Sequence, residues 1–378
     1  MYISKNNYIN ILVLVSFLAT ACFTKNSKPT ETTAEKDISN EYANYFQIIQ
    51  NDSNTIVFKT KSTLNKQTTY HIGNFKKSYL SNDTFYIPKQ IKKIICLSTL
   101  YASYLDNLQS LETVVGIDNS NYVFNQSLLN KIEQGDVSEV GETGNLNLEK
   151  IISLKPDLII TYGNESNANP YQKLTENNIP ILYVYDYLEN HPLGRAEWLK
   201  VFGLLTNKYD SAENKFNQIK NRYLNVKTIA EKATKKPTVF FEIALSDVWY
   251  MPGGKSYLSN LANDAGANYI WKDDAETGSL KLSIEEVMQK AHKADYWLNQ
   301  HYSKSLNDLL QLNKKYNIFE SFKNKNVYNN ILKVNVKGGN AFWENGLIHA
   351  DSLLTDAVKI FHPELLPQHN LVYYKKLE

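Results

Sequence analysis

Residues Pro237 to Trp249 read PTVFFEIALSDVW and follow directly on a long run of helical period. From Lys208 to Thr234 the residues Ala212, Phe216, Ile219, Tyr223, Val226, Ala230 and Ala233 recur at steps of four and three, which puts them on one face of a helix. About 25 residues at ~1.5 Å each make a rod of ~38 Å, long for a single domain. Pro237 ends that rod. Val239, Phe240, Phe241 and Ile243 then form the compact apolar run of a buried strand. Similar elements lie on both sides, so the rod reads as a spine between two lobes.

Working outward, the pattern before the spine starts at Pro88. Ile91–Leu97, Val114–Ile117, Val137–Val140, Leu158–Thr161 and Ile181–Tyr185 read as strands. Leu100–Leu108, Leu146–Leu154 and Tyr171–Asn177 read as the helices between them. After the spine come strands at Val239–Ile243, Tyr296–Leu298 and Asn326–Tyr328, with helices at Ser256–Ala265, Ser283–His292, Ser305–Lys315 and Ser352–Phe361. Strands alternating with helices over short loops predict an α/β fold, with a mostly parallel sheet flanked by helices in each lobe. Ahead of Pro88, residues 45–87 alternate polar and apolar and predict a small β appendage of short antiparallel strands. The expected organisation is a first lobe over 88–194, spine helices over 195–236 and a second lobe over 237–378.

A weak internal repeat relates the lobes. Asn147-Leu148-Glu149 precedes an apolar helix face and then Asp157-Leu158-Ile159-Ile160. Ser283-Ile284-Glu285 precedes another and then Asp295-Tyr296-Trp297-Leu298. Each unit has a capping residue, a glutamate in the first helical turn, and an aspartate just before a buried strand.

The N-terminus carries export features. Lys5 precedes Ile11–Ala19, an apolar run too short to span a ~30 Å hydrocarbon core but suited to a signal peptide over residues 1–21. Ala19-Thr20-Ala21-Cys22 resembles a bacterial lipobox, with Leu18 one place early and Ala19 at the usual leucine position. The same small residues also suit an ordinary cleavage site with Cys22 merely beside it. The polar stretch beyond favours lipidation of Cys22 and a disordered tether over 22–44. Cys96, the other of two cysteines, sits in an apolar run and reads as a core residue.

The whole-chain charges exclude some functions. Lys and Arg number 41 against 39 Asp and Glu, so there is no electrostatic footprint for nucleic acid. C-x-x-C, H-E-x-x-H, G-x-S-x-G and P-loop motifs are missing; Gly253-Gly254-Lys255-Ser256 matches only the end of a P-loop and reads as a helix entry. Seven scattered histidines argue against a bare metal-ion site. The expectation is therefore no enzyme and no resident cofactor or metal. A two-lobed enzyme of chelatase-like outline, and a surface lipoprotein with a protein partner, remain the alternatives.

Taken in order, Pro88 with Ile94-Ile95-Cys96-Leu97-Ser98, Val115-Gly116-Ile117, Val140-Gly141, Asn147-Leu148-Glu149, Leu154-Lys155-Pro156-Asp157-Leu158-Ile159, the spine and Ser283-Ile284-Glu285 resemble class III periplasmic substrate-binding proteins of ABC importers. The resemblance runs from about Pro88 to the C-terminus; the β appendage lies outside it, and Ala350 stands where a proline often precedes the last helix. It implies a monomer that holds an iron chelate (siderophore), haem or a corrinoid such as cobalamin between rigid lobes, with small hinge closure. It also implies that Glu149 and Glu285 dock on arginines of a permease dimer.

Loops beyond the carboxyl ends of parallel strands carry the ligands of open α/β sheets. That rule selects Tyr101, Tyr162, Tyr185, Trp249, Ser279, His301 and Trp343 as candidate ligand contacts, together with Tyr122 and Tyr250. Rigid aromatic faces suit a large, flat, partly apolar ligand. Only Arg195 and Arg222 supply guanidinium groups, and both fall in the spine region. A polyanionic catecholate chelate therefore ranks below haem, a corrinoid or a near-neutral siderophore. For haem, His301 or Tyr101 are the candidate iron ligands.

Overall fold

The computed structural model describes residues 36–38, 40–50, 55–62, 64–76, 79–81, 84–163 and 171–378. The signal peptide, Cys22, most of the expected tether and the loop after Gly163 lie outside the described residues. Among those described, no helix is long and apolar enough to cross a membrane.

The appendage contains β1 (Lys36–Ile38), β2 (Phe46–Gln50), β3 (Ile56–Lys61), β4 (Gln67–Gly73), β5 (Tyr79–Ser81) and β6 (Thr84–Pro88), in the order β1-β2-β3-β4-β6-β5. The pairs are antiparallel as expected except β4 with β6, which run parallel because the β5 hairpin intervenes. Its inner face stacks Phe58 on Tyr70 and Tyr70 on Phe85, and the Tyr70 hydroxyl accepts the backbone N–H of Tyr183 at 3.0 Å. Order begins earlier than the sequence predicts. The N–H groups of Glu41, Tyr42 and Ala43 converge on the fully buried Glu197 carboxylate, and those of Asn44 and Tyr45 on buried Glu189. Burial pushes Glu189 up to about 7. Lys200 neutralises Glu197 at 2.7 Å.

The first lobe holds β7 (Ile94–Cys96), β8 (Val114–Ile117), β9 (Ser138–Glu139), β10 (Leu158–Tyr162) and β11 (Ile181–Val184) as a parallel sheet of order β11-β10-β7-β8-β9. Between them lie α1 (Thr99–Asn107), capped by Ser98, α2 (Gln126–Glu133), α3 (Leu148–Leu154) and α4 (Gln172–Glu176). The spine is three helices, α5 (Pro192–Glu197), α6 (Leu199–Leu205) and α7 (Tyr209–Ala230). At 22 residues α7 is a little shorter than expected, ~33 Å. Its buried stripe is Ala212, Phe216, Ile219, Tyr223 and Ala230, with Val226 half-buried. Gly203 lets α6 lie close on α7, since a Cβ there would meet the Ala212 methyl at 2.6 Å.

The second lobe holds β12 (Thr238–Phe241), β13 (Ala244–Leu245), β14 (Val248–Pro252), β15 (Asn268–Tyr269), β16 (Ser279–Ser283), β17 (Tyr296–Leu298), β18 (Val327–Asn329) and β19 (Lys375–Lys376). Its main sheet runs β15-β12-β17-β18-β19, parallel except for β19. A separate antiparallel sheet, β13-β14-β16, was not legible in the sequence. Its helices are α8 (Tyr257–Asp264), α9 (Ile284–Ala291), α10 (Leu306–Leu312), α11 (Glu320–Lys323) and α12 (Ala350–Phe361). Ser256 caps α8, so the glycine run before it is a helix entry as expected.

The repeat extends to hydrogen bonding. Asn147 caps α3 and Ser283 caps α9. Asp157, before β10, accepts the N–H groups of Lys92 and Lys93 leading into β7. Asp295, before β17, accepts N–H and hydroxyl of Thr238, which opens β12. In both lobes an aspartate ties the start of one strand to the start of its neighbour.

The spine is fastened to both lobes. Lys208 and Lys215 donate to the carbonyls of Leu108 and Asn107 at the end of α1. Buried Asp264 at the end of α8 takes Lys227 at 2.7 Å, the Tyr223 hydroxyl at 2.7 Å and His191 at 3.5 Å. Burial alone would raise the Asp264 carboxyl, but His191, Lys227 and Tyr223 together hold it below its ordinary value. Replacing Asp264 by alanine strips three partners at once. We expect a loss of about 2–3 kcal/mol in urea unfolding, the half-buried Lys227 moderating the cost. A loss below ~0.5 kcal/mol would show that the knot is dispensable.

Candidate ligand-binding cleft

Seven of the parallel strands, β7, β8, β10, β11, β12, β17 and β18, end at one cleft between the lobes. Its larger chamber encloses about 860 Å³. Ser98 and Tyr101 follow β7, Asp118 and Tyr122 follow β8, Tyr162 closes β10, and Asp186 and Tyr187 follow β11. From the second lobe, Glu242 follows β12, His301, Tyr302 and Lys304 follow β17, and Asn330 and Ile331 follow β18. A smaller chamber of about 480 Å³ shares Tyr187, Glu242 and His301 with the first.

Tyr101, Tyr162, His301 and Trp343 therefore meet at the larger chamber, and Ser279 at the smaller one, with Tyr250. Tyr101 belongs to the wall: it is 2% exposed, and burial together with the neighbouring Asp186 carboxylate raises its hydroxyl well above the ordinary range. Two expected contacts are not at the surface of either chamber. Trp249 is fully buried in the second lobe, packed with Phe240, Trp297, Tyr316 and Phe319. The cause lies in the quoted stretch itself. Glu242 takes a left-handed conformation (φ 64°), which ends β12 and folds β14 back so that the indole N–H donates to the Phe241 carbonyl at 2.9 Å. Tyr185 is likewise buried, its ring lying where any side chain at Gly163 would stand.

Polar groups complete the larger chamber, Asp118 and Asp186 from loops that the strand-end rule selects and Arg195, Glu242 and Lys375 from positions it does not. Arg195 reaches it from α5 and sits against Asp186, its Nε 3.3 Å from the carboxylate and 3.0 Å from the backbone carbonyl. Asp186 is buried, and burial raises its carboxyl despite the guanidinium. Asp118 is pushed up to about 6 by burial, and its Oδ1 is buried with no partner in the protein. Lys375 arrives from the C-terminal strand β19, a long-range placement with no local signal. Glu242 accepts from His301 Nε2 at 3.1 Å, and that hydrogen bond raises the imidazole above its ordinary value. Both residues have positive φ, 64° and 49°, conformations that cost about 1–3 kcal/mol each for such side chains.

One side of the larger chamber is a strap over 331–349. Val334, Asn335, Asn340, Trp343 and Leu347 face the chamber from it. The strap also grips the first lobe. Glu344, 3% exposed in a π-helical turn, accepts the N–H groups of Phe124 and Asn125 at 2.6 and 2.8 Å, at the entry to α2. Asn335 donates to the Val123 carbonyl at 2.7 Å. Asn345 accepts from Ser103 and Asn107, and His349 meets Asn107. Gly339 is required at this crossing, because a Cβ would lie 2.2 Å from the Val123 oxygen.

Glu149 and Glu285 are exposed in the first turns of α3 and α9, at equivalent places in the repeat. Glu285 lies 3.7 Å from Lys315, an exposed pair of little energetic weight.

The residues 94–330 match the family model described as periplasmic binding protein. An uncharacterised lipoprotein of Methanocaldococcus jannaschii is 26% identical over 81% of this chain and 73% of its own length. An uncharacterised ABC transporter substrate-binding lipoprotein of Bacillus subtilis is 25% identical over 55% of this chain and 64% of its own. Among solved structures, a possible iron-binding periplasmic solute-binding protein of Staphylococcus epidermidis superposes with a TM-score of 0.56 at 18% identity, covering 72% of this chain and all of that one. A periplasmic heme binding protein of Vibrio cholerae gives 0.56 at 15% identity, over 72% of this chain and 99% of that one. At such identities these two likenesses concern the fold.

Burial raises Glu344 from the ordinary 4.5 to about 7, with Asp106 adding repulsion, and Glu189 moves likewise. Between those values the folded chain binds more protons than the unfolded one, so stability falls as pH rises through the window. We expect the melting temperature to be about 5 °C lower at pH 8 than at pH 5.5, and the Glu344→Gln, Glu189→Gln double variant to flatten that slope. A profile unchanged in the double variant would remove these carboxyls from the account.

Proposed function

Since the chain belongs to the periplasmic binding proteins, in the class III form its sequence resembles, we propose that it captures an iron chelate, haem or a corrinoid in the interlobe cleft and delivers it to an ABC importer. One observation carries the reading. The six exposed aromatic side chains among the described residues, Tyr122, Tyr162, Tyr187, Tyr250, Tyr302 and Trp343, all line the two chambers. Among the described residues, exposed rings gathered in this one cleft favour a broad, partly apolar ligand held by stacking.

Charge narrows the class. The larger chamber has three carboxyls, Asp118, Asp186 and Glu242, against Arg195, Lys304 and Lys375. With Arg195 already on Asp186, the surplus of cations that a polyanionic chelate needs is missing, which supports a near-neutral ligand. Tyr101 keeps its proton and is buried, which opposes a phenolate–iron bond there. His301, held by Glu242 through Nε2, keeps only Nδ1 for a ligand. In this reading the cleft binds without covalent chemistry and uses no resident cofactor. Glu149 and Glu285 meet the permease dimer, the protein acts as a monomer, and a lipid on Cys22 holds it at the membrane outside the cytoplasm. The possible iron-binding and heme binding proteins that share the fold accord with this class of ligand.

Absorbance titration of the mature protein with haem, cobalamin and a ferric hydroxamate tests the reading. Saturable one-to-one binding is expected for one of them. Trp343→Ala and Tyr162→Ala should each weaken it about tenfold, as loss of a stacked ring implies. Glu149→Ala with Glu285→Ala should leave that affinity unchanged and abolish uptake by cells. No saturable binding would sink the ligand class; uptake by the double variant would sink the docking assignment.

A further inference from the structure

The cleft continues past the Glu242–His301 pair into the smaller chamber, and the chemistry changes there. The larger chamber carries the fixed charges. Among the described residues the smaller has no lysine or arginine on its wall, and both of its carboxylates are already committed. Glu189 serves the backbone of Asn44 and Tyr45 and the indole N–H of Trp198, and Glu242 holds His301. Beyond His301, which Glu242 holds, what still faces the space is uncharged. Thr277 and Ser279 are exposed at its rim. Leu245 and Tyr250 supply exposed apolar surface.

We infer that the ligand has two parts: a body in the larger chamber and a neutral arm, rich in amide or hydroxyl groups, that crosses the Glu242–His301 pair into the smaller one. This deepens the reading above and rests on it. An anionic arm finds no lysine or arginine in the smaller chamber and an imidazole already paired with Glu242, and a cationic arm finds the carboxylates taken. A neutral arm meets exposed hydroxyls at Thr277 and Ser279 and an apolar flank at Leu245 and Tyr250. A single rigid disc would leave the second chamber unfilled.

The arm can be obstructed without touching the body's chamber. An added Cβ at Gly278 meets nothing within 4 Å, and Ser279 is exposed on edge strand β16, so Gly278→Phe and Ser279→Trp both add bulk into open space. The two variants and the wild type are titrated with the three ligands named above and with cobinamide, the corrin ring without its nucleotide arm. The expected result is that either substitution weakens the tightest-bound ligand at least fivefold. The nucleotide arm of cobalamin carries a phosphodiester, so the wild type should bind cobalamin and cobinamide within about threefold of each other; a tenfold preference for cobalamin that the substitutions erase would overturn the neutral arm. A tightest-bound ligand, haem for example, whose affinity changes less than fivefold in both variants overturns the arm and leaves the proposed function standing. Absence of binding by the wild type overturns both. Circular dichroism identifies a variant that fails to fold, in which case the other decides.

Discussion

A carboxylate shared by three elements holds the two lobes in register. Asp264 belongs to the second lobe, His191 to the segment leaving the first, and Tyr223 and Lys227 to the rod between them. A buried carboxylate is costly unless its lone pairs are answered, and here the answers come from two other parts of the chain, the rod and the segment at His191. The rod's lysines at the end of α1 complete the fastening on the other side. The cleft is therefore built between two bodies whose spacing is set by side-chain chemistry as well as by the peptide link.

That spacing gives the strand ends their meaning. Parallel strands deliver their carboxyl ends to one edge, and two such edges face each other across the gap. Turning the chain sharply at that edge costs backbone strain, and it is concentrated at Glu242, Asn299 and His301, all with positive φ. Two of these three then form the ion pair at the junction of the chambers. The strain and the pairing together fix where this polar pair stands in a cleft lined by both rings and charged groups.

Much of this was legible because strands, caps and helix faces are local. The paired units around Asn147 and Ser283 fold as the repeat implies, down to Asp157 and Asp295 performing the same task. The rule of strand ends located most of the cleft loops. It failed at Trp249 because a tryptophan beside a turn reads alike whether it faces ligand or core, and only the left-handed turn at Glu242 decides. Tyr185 fails likewise, since Gly163 opens a space for its ring that no spacing announces. Arg195 was read as spine, but α5 is short and breaks at Trp198, which leaves the guanidinium pointing across to Asp186. Lys375 and Glu344 depend on contacts more than 40 and 200 residues away in sequence, to β18 and to Phe124, and nothing near them signals the partner.

The strap over 331–349 has a mechanical consequence. A box hinged along one edge opens freely, but this one is also buttoned along another, by Glu344 on Phe124 and Asn125 and by Asn335 on Val123. If the cleft holds a ligand as proposed, its exchange requires unbuttoning, not only swinging. Its dwell time is then governed by how often these three hydrogen bonds break together, and a membrane complex that pries the strap aside would shorten that dwell without altering a single contact to the ligand.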